Sequence, residues 1–230
     1  WIYGETNFSR NTPLLVAVSR SGETTETINA INTFKQMYGD NILVISCYPD
    51  SNMVGSTTYT LLSPDAQENS VAQTRSFSSM YVMSHLLAGY YSNKTSHIEE
   101  LSQLPSLFSQ VVEKYEPLIK NIATDLKYDH FVFLGSGINY GLASEVMLKM
   151  KEMSKSVSEA FHFMEFRHGP MSMITDRSLV IGLVSENNKK EELRVLQDMK
   201  KLGATTLALV NSGTDVNADF VVEFDSRISD

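Results

Sequence analysis

The chain has 230 residues, 42% hydrophobic and 20% charged, an ordinary balance for one large α/β domain or two small ones. A formal net charge of −8 without a basic run argues against a nucleic-acid partner, and no apolar stretch is long enough to span a bilayer. One cysteine, Cys47, permits no disulfide within the chain and fits a reducing, cytoplasmic setting.

The sequence begins at Trp1, without Met or a signal-like segment, which suggests a trimmed or processed chain. Leu14 to Val18 is a short apolar run that predicts a strand, and Glu23 to Met37 follows as a helical pattern. Asn41 to Cys47 and Thr57 to Leu62 predict two more strands, and Thr74 to Tyr91 a long helix. Two helical patterns run from His97 to about Leu126, with breaks expected near Pro105 and Pro117. Beyond them come a strand at Phe131 to Leu134, a helix at Asn139 to Met153 and a strand at Val157 to Phe161. Strands at Leu179 to Val184, Thr206 to Val210 and Phe220 to Phe224 follow, with a helix at Lys189 to Leu202. Apolar strands alternating with helices predict parallel sheets covered on both faces.

The pattern repeats. LLVAVSRSGETTETI from Leu14 aligns with LVIGLVSENNKKEEL from Leu179, and each is followed by two further apolar strands. The second copy carries an additional strand and helix in front, from Phe131, whose counterpart in the first would precede Trp1. The expected fold is therefore α/β, with two tandem three-layer αβα (flavodoxin-like) subdomains, the first incomplete at its N-terminus. Their expected limits are 1–126, including the linking helices, and 127–230.

Three constellations can carry chemistry. Ser19-Arg20-Ser21-Gly22-Glu23-Thr24 follows a strand and opens a helix, where free amides and the helix dipole attract anions. Ser19, Ser21 and Thr24 add hydroxyls, and Gly22 lets the backbone come close; the loop reads equally as a Ser/Thr helix cap with a turn glycine. The equivalent loop in the second copy, Ser185-Glu186-Asn187-Asn188, has no glycine and carries an acid, so only the first copy suits a phosphate. Glu152, with Lys149 three residues earlier on one helix face, suits a general base for proton transfer between sugar carbons, or a plain surface ion pair. His168, ahead of Gly169-Pro170 and flanked by Glu165 and Arg167, lies in an expected turn and suits acid–base work near neutral pH. His85, His97, His130 and His162 have no comparable context and read as structural or exposed. No metal signature is evident, and Gly135-Ser136-Gly137 is too short for a dinucleotide fingerprint.

Taken together, these pieces resemble the isomerase (SIS) half of the glucosamine-6-phosphate synthase family. SRSGETTET is similar to its S-x-S-G-E-T phosphate loop, and Glu68–Arg75 (ENSVAQTR) resembles its E-x-x-V-A-S-T-K segment. KMKEMS from Lys149 is similar to K-L-K-E-I-S, and EFRHGP from Glu165 to E-L-K-H-G-P. The resemblance implies that Ser19, Arg20, Ser21, Gly22 and Thr24 hold the phosphate. It also implies that Val71 and Gln73 contact the sugar, with Gln73 in place of the family's serine and Arg20 where glutamine is common. Glu152, with Lys149 beside it, would move the proton between C1 and C2. His168 would assist ring opening in the site of a neighbouring subunit, which makes the expected assembly a homodimer with shared sites. The family's C-G-T-S loop, its tail lysine and a glutaminase cysteine have no match here. No cofactor, membrane or nucleic-acid partner is expected. The resemblance thus points to ketose/aldose isomerisation of a hexose 6-phosphate coupled to gain or loss of an amino group, of the deaminase or deglycase type. The alternatives are the isomerase domain of a glutamine–fructose-6-phosphate aminotransferase and a non-catalytic sugar-phosphate sensor.

Overall fold

The computed structural model describes residues 13–225. The outer limits expected for the subdomains, at 1 and 230, lie outside the described residues. The chain divides between Leu101 and Ser102 into two compact units, each with its own sheet.

The first unit contains β1 (Leu15–Val18), α1 (Thr25–Tyr38), β2 (Ile42–Ser46), α2 (Asn52–Gly55), β3 (Tyr59–Leu62), α3 (Arg75–Tyr91) and α4 (Thr95–Leu101). A single 3-10 turn at Pro64–Ala66 follows β3. The strands form a parallel sheet in the order β1-β2-β3. Side chains of β2 alternate between faces, as a strand buried on both sides requires. Ile42 and Val44 pack with Ile31, Phe34 and Met53 on one face. Ile45 packs with Cys47, Ala66 and Met80 on the other, beside Leu43 and Met83. Each such aliphatic side chain contributes roughly 1.5–3 kcal/mol on burial, which makes β2 the anchor of the loops at its ends.

The second unit contains α5 (Leu104–Thr124), β4 (His130–Gly135), α6 (Ile138–Ser154), β5 (Val157–His162), α7 (Phe163–Phe166), β6 (Ser178–Leu183), α8 (Lys189–Lys201), β7 (Thr205–Asn211) and β8 (Phe220–Phe224). Its parallel sheet runs β5-β4-β6-β7-β8. One face packs Val132, Leu134, Val180, Ala208 and Val210 against Val195, Leu196 and Met199 of α8. The opposite face presents Leu179, Leu207 and Val222 to Val111, Tyr115, Leu118 and Ile122 of α5. The internal repeat is visible as β1-β2-β3 matching β6-β7-β8 in order and direction. Among the described residues β1 has one strand partner, β2, whereas its counterpart β6 lies between β4 and β7.

One expectation needs correction. Pro117 does not break a helix: α5 runs through it. Residues 113 and 117 are exposed, so water can serve the Glu113 carbonyl that the proline leaves unpaired, while Val111, Tyr115, Leu118 and Ile122 hold the helix down at i, i+4, i+7 and i+11. That same apolar stripe holds α5 within the second compact unit. The remaining strands and long helices fall within a few residues of their expected limits.

Candidate functional site

The loop Ser19–Thr24 joins β1 to α1 and is tied down from below. The Cys47 amide donates to the Arg20 carbonyl at 3.1 Å, and the Ser46 hydroxyl donates to it at 3.0 Å. Glu23 accepts from the Asn52 amide and its side-chain Nδ2 at 2.7 and 2.6 Å, fixing the loop to the start of α2. Inside the loop, the Gly22 amide donates to Ser19 Oγ and the Glu23 amide to Ser21 Oγ, each at 3.2 Å. The hydroxyls of Ser19 and Thr24 lie 2.8 Å apart. Gly22 has φ +66°, and a Cβ there would fall 2.0 Å from Ser51 Oγ and 2.5 Å from Ser51 Cβ. Only glycine fits both the left-handed backbone and the close approach of Ser51.

The copies differ in what fills the loop. Neither α1 nor α8 has a side-chain cap on its first turn. In the second unit the fully buried Glu192 turns back into the loop, accepting from the Ser185 amide at 2.6 Å and the Ser185 hydroxyl at 3.0 Å. Its carboxylate takes the place an exogenous anion would need. In the first unit, among the described residues, no carboxylate accepts from the loop amides: the Glu23 carboxylate turns to Asn52, and the lining groups are the hydroxyls of Ser19, Ser21 and Thr24, with Thr24 exposed. Ser21→Ala and Thr24→Val should therefore each weaken sugar-phosphate binding by about 1.5–3 kcal/mol without unfolding the chain, since each removes a hydroxyl from an ionised ligand. Calorimetry on both variants checks this; affinities equal to wild type would place the anion elsewhere.

The segment Glu68–Arg75 is brought to this loop. Arg20 Nη1 donates to the Ser70 carbonyl at 2.9 Å. Glu68 caps α3, accepting from the amides of Thr74, Arg75 and Ser76 and from the hydroxyls of Thr74 and Ser76. The Ser76 hydroxyl and amide, then the Thr74 groups, hold its carboxyl well below the usual carboxylate range. Glu68 is thus committed to the backbone and supports the turn that carries Val71 and Gln73. Val71 is 91% exposed, an apolar side chain presented to solvent, and Gln73 is half-buried. Burial pushes the Cys47 thiol up, against the opposing pull of Arg20, so Cys47 is a core residue and a poor nucleophile.

In the second unit Lys149 Nζ donates to Glu152 Oε2 at 2.5 Å on α6 and lies 3.5 Å from Glu145. Burial works against the Lys149 charge, but the hydrogen bond to Glu152 and the Glu145 carboxylate outweigh it and raise its pKa. Lys149 therefore remains an ammonium at neutral pH and holds Glu152 in one position. Glu152 is partly open to solvent, with 38% of its side chain exposed. His168 sits on the turn after α7, where its amide donates to the Glu165 carbonyl at 2.9 Å. Gly169 follows at φ +134° and Pro170 opens a 3-10 turn, so the backbone around the exposed His168 is constrained on both sides. Arg167 pairs with Asp198 of α8 at 2.8 Å and anchors this turn. The structure joins the Ser19–Thr24 loop to the 68–75 segment, and Lys149 to Glu152; Glu152 and His168 stand on different elements.

Ser51, Glu145 and Glu192 have no part in the sequence reading of the site. Glu145 was visible at i−4 from Lys149. Glu192 stands where Thr27 stands in the first copy by the loop alignment, an exchange of hydroxyl for carboxylate that could have been read. Ser51 gave no signal, because its contact with Gly22 depends on how β2 and α2 fold back.

Comparison with known proteins follows this division. The SIS domain family matches residues 5–89 and 126–221. The glutamine–fructose-6-phosphate aminotransferase of Clostridium tetani is 30% identical over 229 residues, covering 91% of this chain and 36% of that protein. The Symbiobacterium thermophilum aminotransferase is 29% identical over 216 residues, covering 89% and 35%. The chain thus spans about a third of the length of these curated relatives. Among solved structures, the glucosamine-6-phosphate deaminase from Thermotoga maritima superposes with a TM-score of 0.74 at 27% identity, covering 95% of this chain and 66% of that one. The C-terminal domain of the aminotransferase from Francisella tularensis reaches 0.81 at 23% identity, covering 95% and 67%, a likeness of fold. With two stretches matched and two parallel α/β units, the chain belongs to the SIS domain family.

Proposed function

We propose that this chain is an amino-sugar phosphate enzyme that interconverts the ketose and aldose forms of a hexose 6-phosphate with gain or loss of the amino group. The observation that carries the reading is the contrast between the copies: the second loop is closed by Glu192, and the first, Ser19–Thr24, offers hydroxyls. In this reading the phosphate rests on Ser19, Ser21 and Thr24, with Gly22 giving backbone access. Arg20 fixes the turn that brings Val71 and Gln73 to the sugar. Glu152 is the base that removes the proton at C2 and returns it at C1, and Lys149 holds it in place. His168 is the acid–base group at the ring oxygen, which must gain a proton as the ring opens.

The deaminase direction draws support from the Thermotoga maritima likeness. The names of the curated relatives favour a second reading, the isomerase part of an aminotransferase. Incubating the chain with glucosamine 6-phosphate, and separately with fructose 6-phosphate plus ammonia, separates them. Ammonia release from the first supports a deaminase. Isomer interconversion without ammonia release supports the aminotransferase part. Binding with neither reaction overturns the enzyme reading in favour of a sensor.

A site shared between two subunits has its own signature. Mixing His168→Ala with Glu152→Gln should restore about a quarter of the sites under random exchange, because half of the symmetric dimers are mixed and each has one intact site of two. If mass spectrometry confirms subunit exchange and no activity returns, His168 acts within its own chain or not at all.

A further inference from the structure

The first unit holds a pair of histidines that the sugar chemistry does not use. α4 folds back on α3 across Gly89, where a Cβ would press on Ile98 Cγ1 at 3.2 Å and stand 3.5 Å from His97 Cδ2. That approach sets His85 Nδ1 of α3 3.4 Å from His97 Nε2 of α4, with ring centroids 5.6 Å apart. Tyr81, one turn before His85, packs its ring at 63° to the imidazole at 4.6 Å and limits its rotation. Behind His97, Glu100 Oε2 lies 3.8 Å from Nδ1; the two side chains are only 20% and 24% exposed.

This is the arrangement a transition metal requires of two ligands. Nitrogens bound to one tetrahedral Zn2+ at about 2.05 Å stand about 3.3 Å apart. A carboxylate on the far side of one imidazole favours the tautomer whose proton is on that side, which leaves the near lone pair for the metal. We propose that His85 and His97 form a two-histidine site for a late first-row divalent ion, Zn2+ foremost, with Glu100 orienting His97. The ion fastens α4 to α3. Among the described residues no group of three or more His, Cys, Asp or Glu is placed to hold a metal, so water fills the remaining positions and the site is open. On binding, the proton of His85 resides on Nε2 and that of His97 on Nδ1, so both facing nitrogens offer lone pairs.

The test uses the full chain without a histidine tag, in buffer free of phosphate, titrated with Zn2+ alone by calorimetry and followed by thermal melting. The expected result is one equivalent bound, with a rise in Tm. His85→Gln and His97→Gln should each weaken binding by at least about tenfold, and Glu100→Gln by about tenfold. His130, His162 and His168 remain in every variant and serve as the internal background. Cu2+ electron paramagnetic resonance on the wild-type protein should show coupling to two imidazole nitrogens, a readout that survives even if a variant fails to fold. No Zn2+ binding by the wild type below millimolar concentration would overturn the proposal. So would affinity unchanged in a folded His85→Gln/His97→Gln double variant.

Discussion

Glu152→Gln is expected to bind the sugar phosphate as the wild type does and to lose proton exchange at C2. The amide keeps the shape of the carboxylate and still offers Lys149 an oxygen in place of the 2.5 Å hydrogen bond it accepts now. What it cannot do is take a proton from carbon. Removing a positioned general base costs on the order of 10²–10⁴ in rate, the larger of the single-residue effects expected here. The measurement is solvent deuterium incorporation at C1 of fructose 6-phosphate and at C2 of the aldose formed from it, run beside a binding titration. Exchange at the wild-type rate would remove Glu152 from the chemistry and leave it as a surface ion-pair partner. Loss of both binding and exchange would point instead to a damaged α6.

Gly22→Ala is expected to abolish sugar-phosphate binding while leaving the second unit folded. The added carbon meets Ser51 Oγ at 2.0 Å and Ser51 Cβ at 2.5 Å, and the residue must still hold φ +66°. Overpacking of this kind costs about 1–3 kcal/mol, and the left-handed backbone adds roughly 1–2 kcal/mol for a residue with a Cβ. The loop relieves that strain by moving, and the hydroxyls of Ser19, Ser21 and Thr24 lose their common focus. Ser51→Gly placed on top of Gly22→Ala removes the clash but not the backbone strain, so partial recovery of binding is expected. Calorimetry with fructose 6-phosphate reads both. Wild-type affinity in Gly22→Ala would mean that the loop tolerates displacement and does not set the phosphate position.

Much of the scaffold was legible because its strands are short apolar runs, even where, as at Val16 and Val18 of β1, the side chains stay exposed. LVAV, ILVIS and LVIGL stand out as short apolar runs between polar loops, and each lies in a parallel sheet. The helices α1, α3, α6 and α8 showed through their spacing. Pro117 misled because propensity describes an isolated helix, whereas α5 is held by four apolar side chains on a sheet. The single turn α7 was invisible: four residues, Phe163–Phe166, are too short to show a period, and its two phenylalanines are buried for the core. The candidate site followed the same rule. Residues in one continuous motif, such as Ser19–Thr24, could be read together. Ser51, which shapes Gly22 from a later loop, and Glu68, whose role as the cap of α3 depends on a turn, needed coordinates.

The central claim is that one loop of the two holds the phosphate, and backbone amide NMR on the full chain titrated with fructose 6-phosphate tests it most directly. The expected result is a set of saturable shifts at the amides of Ser19 through Thr25, with Ser185 through Asn188 unmoved behind the Glu192 carboxylate. Shifts centred on Ser185–Asn188, or shifts at neither loop at saturating ligand, would contradict it.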